Sequence, residues 1–153
     1  MCLIVDANLA SAVFGDKPTK NFSPLIDWLT NKDGKLVVGG QLAREVYRVA
    51  AARRFVRNLL QAGRARSIPD NITERETTFV SDLCDSNDPH VIALARISGA
   101  RILCSHDKTL HKDFTNLGLI SNPKGHIYQN AKHKRLLRLY GHTEACWRSM
   151  ALQ

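Results

Sequence analysis

Short apolar runs along the chain predict three buried strands. They cover residues 2–5, 35–40 and 101–105, and each is hydrophobic at almost every position rather than at alternate ones. A fourth, shorter strand is predicted where the segment GHIYQN begins the tail. Continuous apolar strands are typical of parallel sheets that helices cover on both faces.

Segments with helical spacing lie between and after these strands. The clearest is NDPHVIALARISG, in which Asp88 stands at the cap position, Pro89 in the first turn and Gly99 at the stop. Another is predicted to have Ser23 as its N-cap. The predicted helical segments are 23–34, one continuous helix from the end of the second strand to Gly63, 71–82, 88–99 and a basic helix in the tail.

Strands alternating with helices predict an α/β fold, a three-layer sandwich with a mainly parallel central sheet flanked by helices. The chain has 153 residues, about the length of one domain. We expect a domain over residues 1–130 and a basic helix or tail over 131–153 that packs on it. Because no stretch approaches about 18 consecutive apolar residues and no basic leader begins the chain, we expect no membrane association and a cytoplasmic location.

Charge is unevenly distributed along this basic chain, whose formal net charge is +8. Residues 43–66 hold seven arginines and one acid, and residues 124–153 hold six lysines and arginines against one acid. Residues 69–90 instead hold six acids and one arginine. This distribution favours a polyanionic partner beside a cation site, although solvated helix faces explain most individual charges.

Four cysteines lie far apart in the sequence, with no CxxC pair: Cys2, Cys84, Cys104 and Cys146. Cys2 and Cys104 stand inside apolar runs, where cysteine behaves as a small hydrophobe. We therefore expect free thiols rather than disulfides. Trp28 and Trp147 are interpreted as core or interface residues.

Four acids occupy positions that a parallel sheet brings together. Asp6 and Asp107 follow the first and third predicted strands, Glu45 lies in the opening turns of the helix after the second strand, and Asp88 begins a helix. Because parallel strands share the edge at which they end, we expect all four carboxylates to converge there. Clustered carboxylates repel one another unless a cation neutralises them, and an all-oxygen site without histidine or cysteine suits Mg²⁺ or Mn²⁺. On a basic protein, such a site is typical of a nuclease.

The sequence resembles the PIN-domain ribonucleases, which include the VapC-type toxins. The resemblance is carried by IVDAN, by the glutamate of QLAREV, by the block from Ser86 to Phe114 and by GHIYQNAKHKRLL. It implies a PIN-like fold and endonucleolytic cleavage of RNA with Mg²⁺ or Mn²⁺, leaving a 5′ phosphate and a 3′ hydroxyl. Many members of this family are paired with an antitoxin and form dimers, so an antitoxin and a homodimer are candidate partners. Because the acidic stretch over 69–86 and the basic tail vary greatly in such proteins, the identity of the partner and of the RNA target does not transfer. By the same resemblance, the catalytic and metal-binding acids are Asp6, Glu45, Asp88 and Asp107, with Asn8 and Ser105 as polar neighbours.

Exposed basic side chains are candidates for contacts with RNA phosphates, which position the strand without reading bases. These are Arg53, Arg54, Arg57, Lys132, Lys134, Arg135 and Arg138.

Several alternatives stay open at this point. Asp88 and Asp107 can each be plain helix caps, and Glu45 can pair with Arg48 or Arg53. Asp85 and Asp113 rank second as ligands. A zinc site fits poorly because the spacing of the cysteines and histidines matches no usual finger, and a dehalogenase-type phosphatase requires an aspartate where Asn8 stands. The functional alternative is an inactive PIN-fold module that binds RNA or serves as a scaffold.

Overall fold

A computed structural model describes residues 2–17 and 19–140 of the chain. Five parallel strands form one sheet in the order β3-β2-β1-β4-β5. The strands are β1 (Cys2–Val5), β2 (Lys35–Gly39), β3 (Ala65–Ile68), β4 (Ile102–Cys104) and β5 (His126–Tyr128). The four predicted strands are confirmed, while β3 has no counterpart in the prediction. Its sequence ARSI carries polar residues at its centre, as suits a strand at the edge of a sheet.

Eight α-helices are present in the described part of the chain. They are α1 (Ala10–Phe14), α2 (Ser23–Asn31), α3 (Gly40–Val46), α4 (Ala50–Gln61), α5 (Asp70–Val80), α6 (Pro89–Ser98), α7 (Lys108–Phe114) and α8 (Arg135–Tyr140). Single 3₁₀ turns cover Ala7–Leu9, Ser81–Leu83 and Ala131–His133.

The path of the chain changes direction between β1 and β4. From β1 it moves outward to β2 and β3, then returns to place β4 on the other side of β1, followed by β5. Because crossovers between parallel strands are right-handed, the two halves place their helices on opposite faces of the sheet. Helix α1 packs against α2 and α4, whereas α6 packs against α5, β1 and β2. The predicted α/β fold with helices on both sides of a parallel sheet is confirmed.

Two details of the predicted helices are wrong. The helix expected to run unbroken from the second strand to Gly63 is divided into α3 and α4, because Val49 adopts an extended conformation. The side chain of Arg53 donates a hydrogen bond to the carbonyl of Tyr47 at 3.2 Å, which satisfies a backbone acceptor exposed by this break. Ser23 lies inside α2 rather than at its cap, a position that Phe22 occupies.

One hydrophobic core extends from β1 to α8. Strands β1 and β4 are buried along their whole length, Trp28 packs into the same core as predicted, and Leu137 of α8 is buried against it. Burying a leucine contributes about 1.5–3 kcal/mol, so the described part of the basic tail is packed on the domain. Residues 141–153, including Cys146 and Trp147, lie outside the described residues.

The expectation of free thiols is correct for Cys84 and Cys104 and wrong for Cys2, which is disulfide-bonded. An apolar sequence context shows that a cysteine is buried, but it does not show whether a second sulfur lies beside it.

Among the helices of the described residues, none is both long enough and apolar enough to span a bilayer.

Candidate functional site

The ends of β1 and β4 lie side by side at the point where the chain changes direction. Val5 pairs with Cys104, and the amide of Asp6 donates to the carbonyl of Cys104 at 2.9 Å. Asp6 follows the end of β1 and Ser105 follows the end of β4, so these two residues lie next to each other. The buried hydroxyl of Ser105 donates to Asp6 Oδ2 at 2.8 Å. In parallel α/β sheets this switch point, at the carboxyl ends of the strands, is where ligands bind.

Ser105 also connects Asp6 to Asp107. Its hydroxyl oxygen accepts a hydrogen bond from the amide of Asp107 at 3.0 Å. The Oδ1 atom of Asp107 in turn accepts the amides of Thr109 and Leu110, at 2.9 and 3.1 Å. Asp107 is therefore a helix cap, as the alternative interpretation held. Both capping bonds go to one oxygen, so capping and a role at the site are compatible.

Asp88 stands at the cap position of α6, yet its side chain makes no capping hydrogen bond. The pKa of Asp88 is raised, first by burial and then by the negative charges of Asp6, Asp107 and Glu45, while His90 acts in the opposite direction. The plain-cap interpretation of Asp88 is therefore wrong. The carboxylate is held near the three other acids, and each of them opposes its ionisation.

Glu45 lies on α3, which packs against α6 and against the 3₁₀ turn that follows Asp6. Its Oε1 atom accepts a hydrogen bond from Gln41 at 2.8 Å, and its Oε2 atom lies 3.7 Å from His90 Nε2. The alternative pairing of Glu45 with Arg48 or Arg53 is not among these contacts. The helix break after α3 turns the chain, so the proximity in sequence of Glu45 to Arg48 and Arg53 does not become an ion pair in the described residues.

His90 is a member of this cluster that sequence reasoning did not assign to it. Its side chain is only 5% exposed, and its Nε2 atom has no hydrogen-bond partner among the described residues. A buried histidine therefore lies beside the predicted carboxylates, while the all-oxygen composition of the metal site stays a prediction. The available signal was a histidine two residues after Asp88 at the start of a mostly apolar helix, where a buried imidazole needs a partner.

Three further candidate residues lie near the carboxylates: Asn8, Asp85 and Asp113. The amide of Asn8 donates to Asp6 Oδ1 at 3.3 Å, while the side chain of Asn8 is exposed. Asp113 is buried, and its two oxygens accept the amides of Asp85 and Ser86 at 2.9 and 2.8 Å. It thereby fastens the loop that leads to Asp88. Asp85 is exposed and pairs with Lys112 at 3.3 Å. These contacts give both acids a structural role, and the second-rank interpretation of Asp85 and Asp113 as ligands stays a prediction that the contacts do not favour.

The predicted phosphate-binding residues are all exposed and form two groups. On α4, Arg54 pairs with Asp16 at 3.5 Å. The second group follows β5, which ends at the same edge of the sheet as β1 and β4. There the backbone carbonyl of Gln129 lies 3.0 Å from Nε2 of His106, the residue before Asp107. An open groove of about 1100 Å³ lies between α2 and α8. The first group is Arg53, Arg54 and Arg57, and the second is Lys132, Lys134, Arg135 and Arg138.

The donor set suits a divalent cation by its chemistry, since several carboxylates and one imidazole nitrogen face a common region. Within residues 2–17 and 19–140, however, no three acidic, histidine or cysteine side chains already have the geometry of a metal site. A zinc-thiolate site is disfavoured, because burial and the charge of Asp6 raise the pKa of the Cys104 thiol. His111 is occupied by the carbonyl of Ser105 at 2.6 Å.

Comparison of the chain with known protein families, with characterised proteins and with solved structures gives no match. The resemblance to PIN-domain ribonucleases therefore rests on the residues quoted above.

Proposed function

We propose that the protein is a metal-dependent endoribonuclease that cleaves single-stranded RNA. One observation carries the proposal: Asp6, Glu45 and Asp107, which come from three separate parts of the chain, each oppose the ionisation of Asp88 at the carboxyl edge of the sheet. Carboxylates collected at this cost in repulsion, without a lysine or arginine to neutralise them in the contacts described above, are typical of a cation site.

In this proposal Asp6, Glu45, Asp88 and Asp107 hold the cation. Ser105 fixes Asp6 relative to Asp107, and Asp113 fixes the loop before Asp88. When bound, Mg²⁺ or Mn²⁺ supplies charge that polarises a phosphodiester and lowers the pKa of an attacking water. The role of the chain is thus to keep four acids from separate elements at one point.

The basic groups on α4 and after β5 are proposed to hold RNA phosphates. Exposed arginine and lysine side chains neutralise the strand without selecting its bases, so they position the RNA. The second group leaves β5 at the edge that holds the acids. Its members Lys134, Arg135 and Arg138 line the groove beside α2, so RNA held in this groove is proposed to extend past the end of β5 to the acids. An antitoxin partner and a homodimer stay predictions from the family resemblance, and a cytoplasmic location stays a prediction from the sequence.

A cleavage assay on a fluorescent single-stranded RNA tests the proposal. We expect cleavage with Mn²⁺ or Mg²⁺, and none when EDTA is in excess, because the carboxylates act through the cation. Undiminished cleavage in EDTA would contradict a metal-dependent mechanism. Binding of the RNA without cleavage under any metal condition would instead support the alternative, an inactive RNA-binding or scaffold module.

A further inference from the structure

The Nε2 atom of His90 is a buried polar atom without a hydrogen-bond partner in the part of the chain that the structure describes. The His90 side chain is only 5% exposed, and its Nε2 atom lies 3.7 Å from Glu45 Oε2. Leaving such an atom unsatisfied costs about 1–3 kcal/mol, so native proteins rarely keep one without a reason. The position of this atom beside Glu45 and Asp88 therefore calls for a ligand or a donor–acceptor partner.

The separation of 3.7 Å between His90 Nε2 and Glu45 Oε2 distinguishes two arrangements. A direct hydrogen bond between nitrogen and oxygen requires about 2.7–3.2 Å. Two ligands that bind one cation at about 2.1 Å each stand about 3–3.6 Å apart, at bond angles of about 90–120°. The observed distance is too long for the hydrogen bond and close to the spacing of two atoms that share a cation.

The surroundings of the imidazole are consistent with this second arrangement. His90 is on the first turn of α6, immediately after Asp88 and Pro89, and it acts electrostatically on Asp88. Glu45 approaches from α3, which packs on α6. One nitrogen donor and two carboxylates thus come from adjoining helix segments and face the same region as Asp6 and Asp107.

We propose that His90 Nε2 is a direct ligand of the divalent cation, which makes the centre a mixed nitrogen and oxygen site that favours first-row transition-metal ions over Mg²⁺. The proposal rests on the proposed function, since it concerns the same centre. Its physical basis is that an imidazole nitrogen binds transition-metal ions better than it binds Mg²⁺, which prefers oxygen.

The test compares wild type with His90→Gln, which replaces the nitrogen by an amide oxygen at a similar reach. Binding of Mg²⁺, Mn²⁺ and Co²⁺ is measured by calorimetry on the metal-free full chain. We expect the affinity for Mn²⁺ to fall about tenfold and that for Co²⁺ to fall further, while the affinity for Mg²⁺ changes less than about threefold. The matched control is His126→Gln at the start of β5, which lies where the parallel strands begin rather than where they end beside the acids. It should leave all three affinities unchanged.

A second measurement does not depend on the folding of a variant. Electron paramagnetic resonance of Mn²⁺ bound to wild type should reveal magnetic coupling to a nitrogen, and labelling histidine with ¹⁵N should change that coupling. The coupling should be lost in His90→Gln and retained in His126→Gln.

The outcomes separate this inference from the proposed function. Binding of Mn²⁺ by wild type without nitrogen coupling, or an equal loss for all three metals in His90→Gln, would overturn the role of His90 and leave a carboxylate centre in place. Failure of wild type to bind Mn²⁺ at millimolar concentration would overturn both proposals. A nitrogen coupling that persists in His90→Gln would assign the ligand to another histidine and would also overturn the inference.

Discussion

The hydroxyl of Ser105 donates a hydrogen bond of 2.8 Å to Asp6, a residue 99 positions earlier in the chain. The same hydroxyl accepts the amide of Asp107 at 3.0 Å. Two acids that follow different strands are thereby joined through one buried side chain.

Replacement of Ser105 by alanine removes the bond that orients Asp6. We expect the free energy of unfolding to fall by about 1.5–3 kcal/mol, because a buried hydrogen bond to a charged acceptor is lost. Urea denaturation at neutral pH in EDTA measures this change. Ser11→Ala, on the exposed face of α1, is the control and should alter stability by less than about 0.5 kcal/mol. Equal effects of the two variants would argue that the Ser105 hydroxyl does not support Asp6.

Replacement of Asp88 by asparagine should stabilise the metal-free protein at neutral pH. Because burial and the neighbouring acids raise the pKa of Asp88, its ionised form destabilises the fold whenever the pH is above that raised pKa. As the pH falls through the raised pKa, native Asp88 takes up a proton, and the advantage of the variant shrinks until it is lost below the pKa of Asp88 in the unfolded chain. Thermal unfolding in EDTA between pH 4 and pH 7.5 measures both effects.

Asp82→Asn is the control for this experiment, because Asp82 is exposed on the preceding 3₁₀ turn. It should give no gain that depends on pH in this way. A lower melting temperature for Asp88→Asn at neutral pH would mean that the charge of Asp88 is stabilised rather than opposed. Asp6 is less suitable for this test, since Ser105 and the amide of Asn8 already hold both of its oxygens.

Replacement of Asp107 by asparagine should separate its two roles. Asparagine caps helices as well as aspartate does, so the stability of the fold should stay within about 0.5 kcal/mol of wild type. Cleavage of RNA with Mn²⁺ should fall at least about 100-fold, because the cation loses a charged ligand. Initial cleavage rates measure the loss. Asp107→Ala should lose about 1 kcal/mol in addition, through the cap. A near wild-type rate in Asp107→Asn would remove this residue from the site.

Changing Lys134, Arg135 and Arg138 together to glutamine should make RNA binding less sensitive to salt. Each phosphate contact with a single strand contributes about 0.7 to the slope of log affinity against log salt, so three lost contacts should lower the slope by about 2. Fluorescence anisotropy in EDTA measures the slope. Arg75→Gln, exposed on α5 and outside both basic groups, should leave the slope unchanged. An unaltered slope in the triple variant would identify this segment as a solvated helix face.

The fold was predictable wherever its sequence signals are local. Continuous apolar runs identified β1, β2 and β4, and Pro89 with Gly99 bounded α6 nearly to the residue. The strand β3 was missed because the central Arg66 and Ser67 hide an edge strand whose pairing with β2 is not local. The break between α3 and α4 was missed because the apolar stripe of Leu42 and Val46 continues in Val56 across the turn.

The candidate site was predictable as a set of acids but not as a set of contacts. Topology alone brings Asp6 and Asp107 to one edge, since parallel strands end together. Three features of the site depend on side-chain packing between helices. The Asp88 side chain makes no capping hydrogen bond, His90 Nε2 has no hydrogen-bond partner among the described residues, and Asp113 accepts two backbone amides. Such packing has no signature in the spacing of residues along the chain.

Helix α7 carries one acid of the cluster and anchors the approach to another. Asp107 caps its first turn, and Asp113, near its last turn, holds the loop before Asp88 by two amides. This short helix therefore supports two acids of the cluster at once, so a substitution that unfolds α7 is expected to displace the loop before Asp88 as well as Asp107.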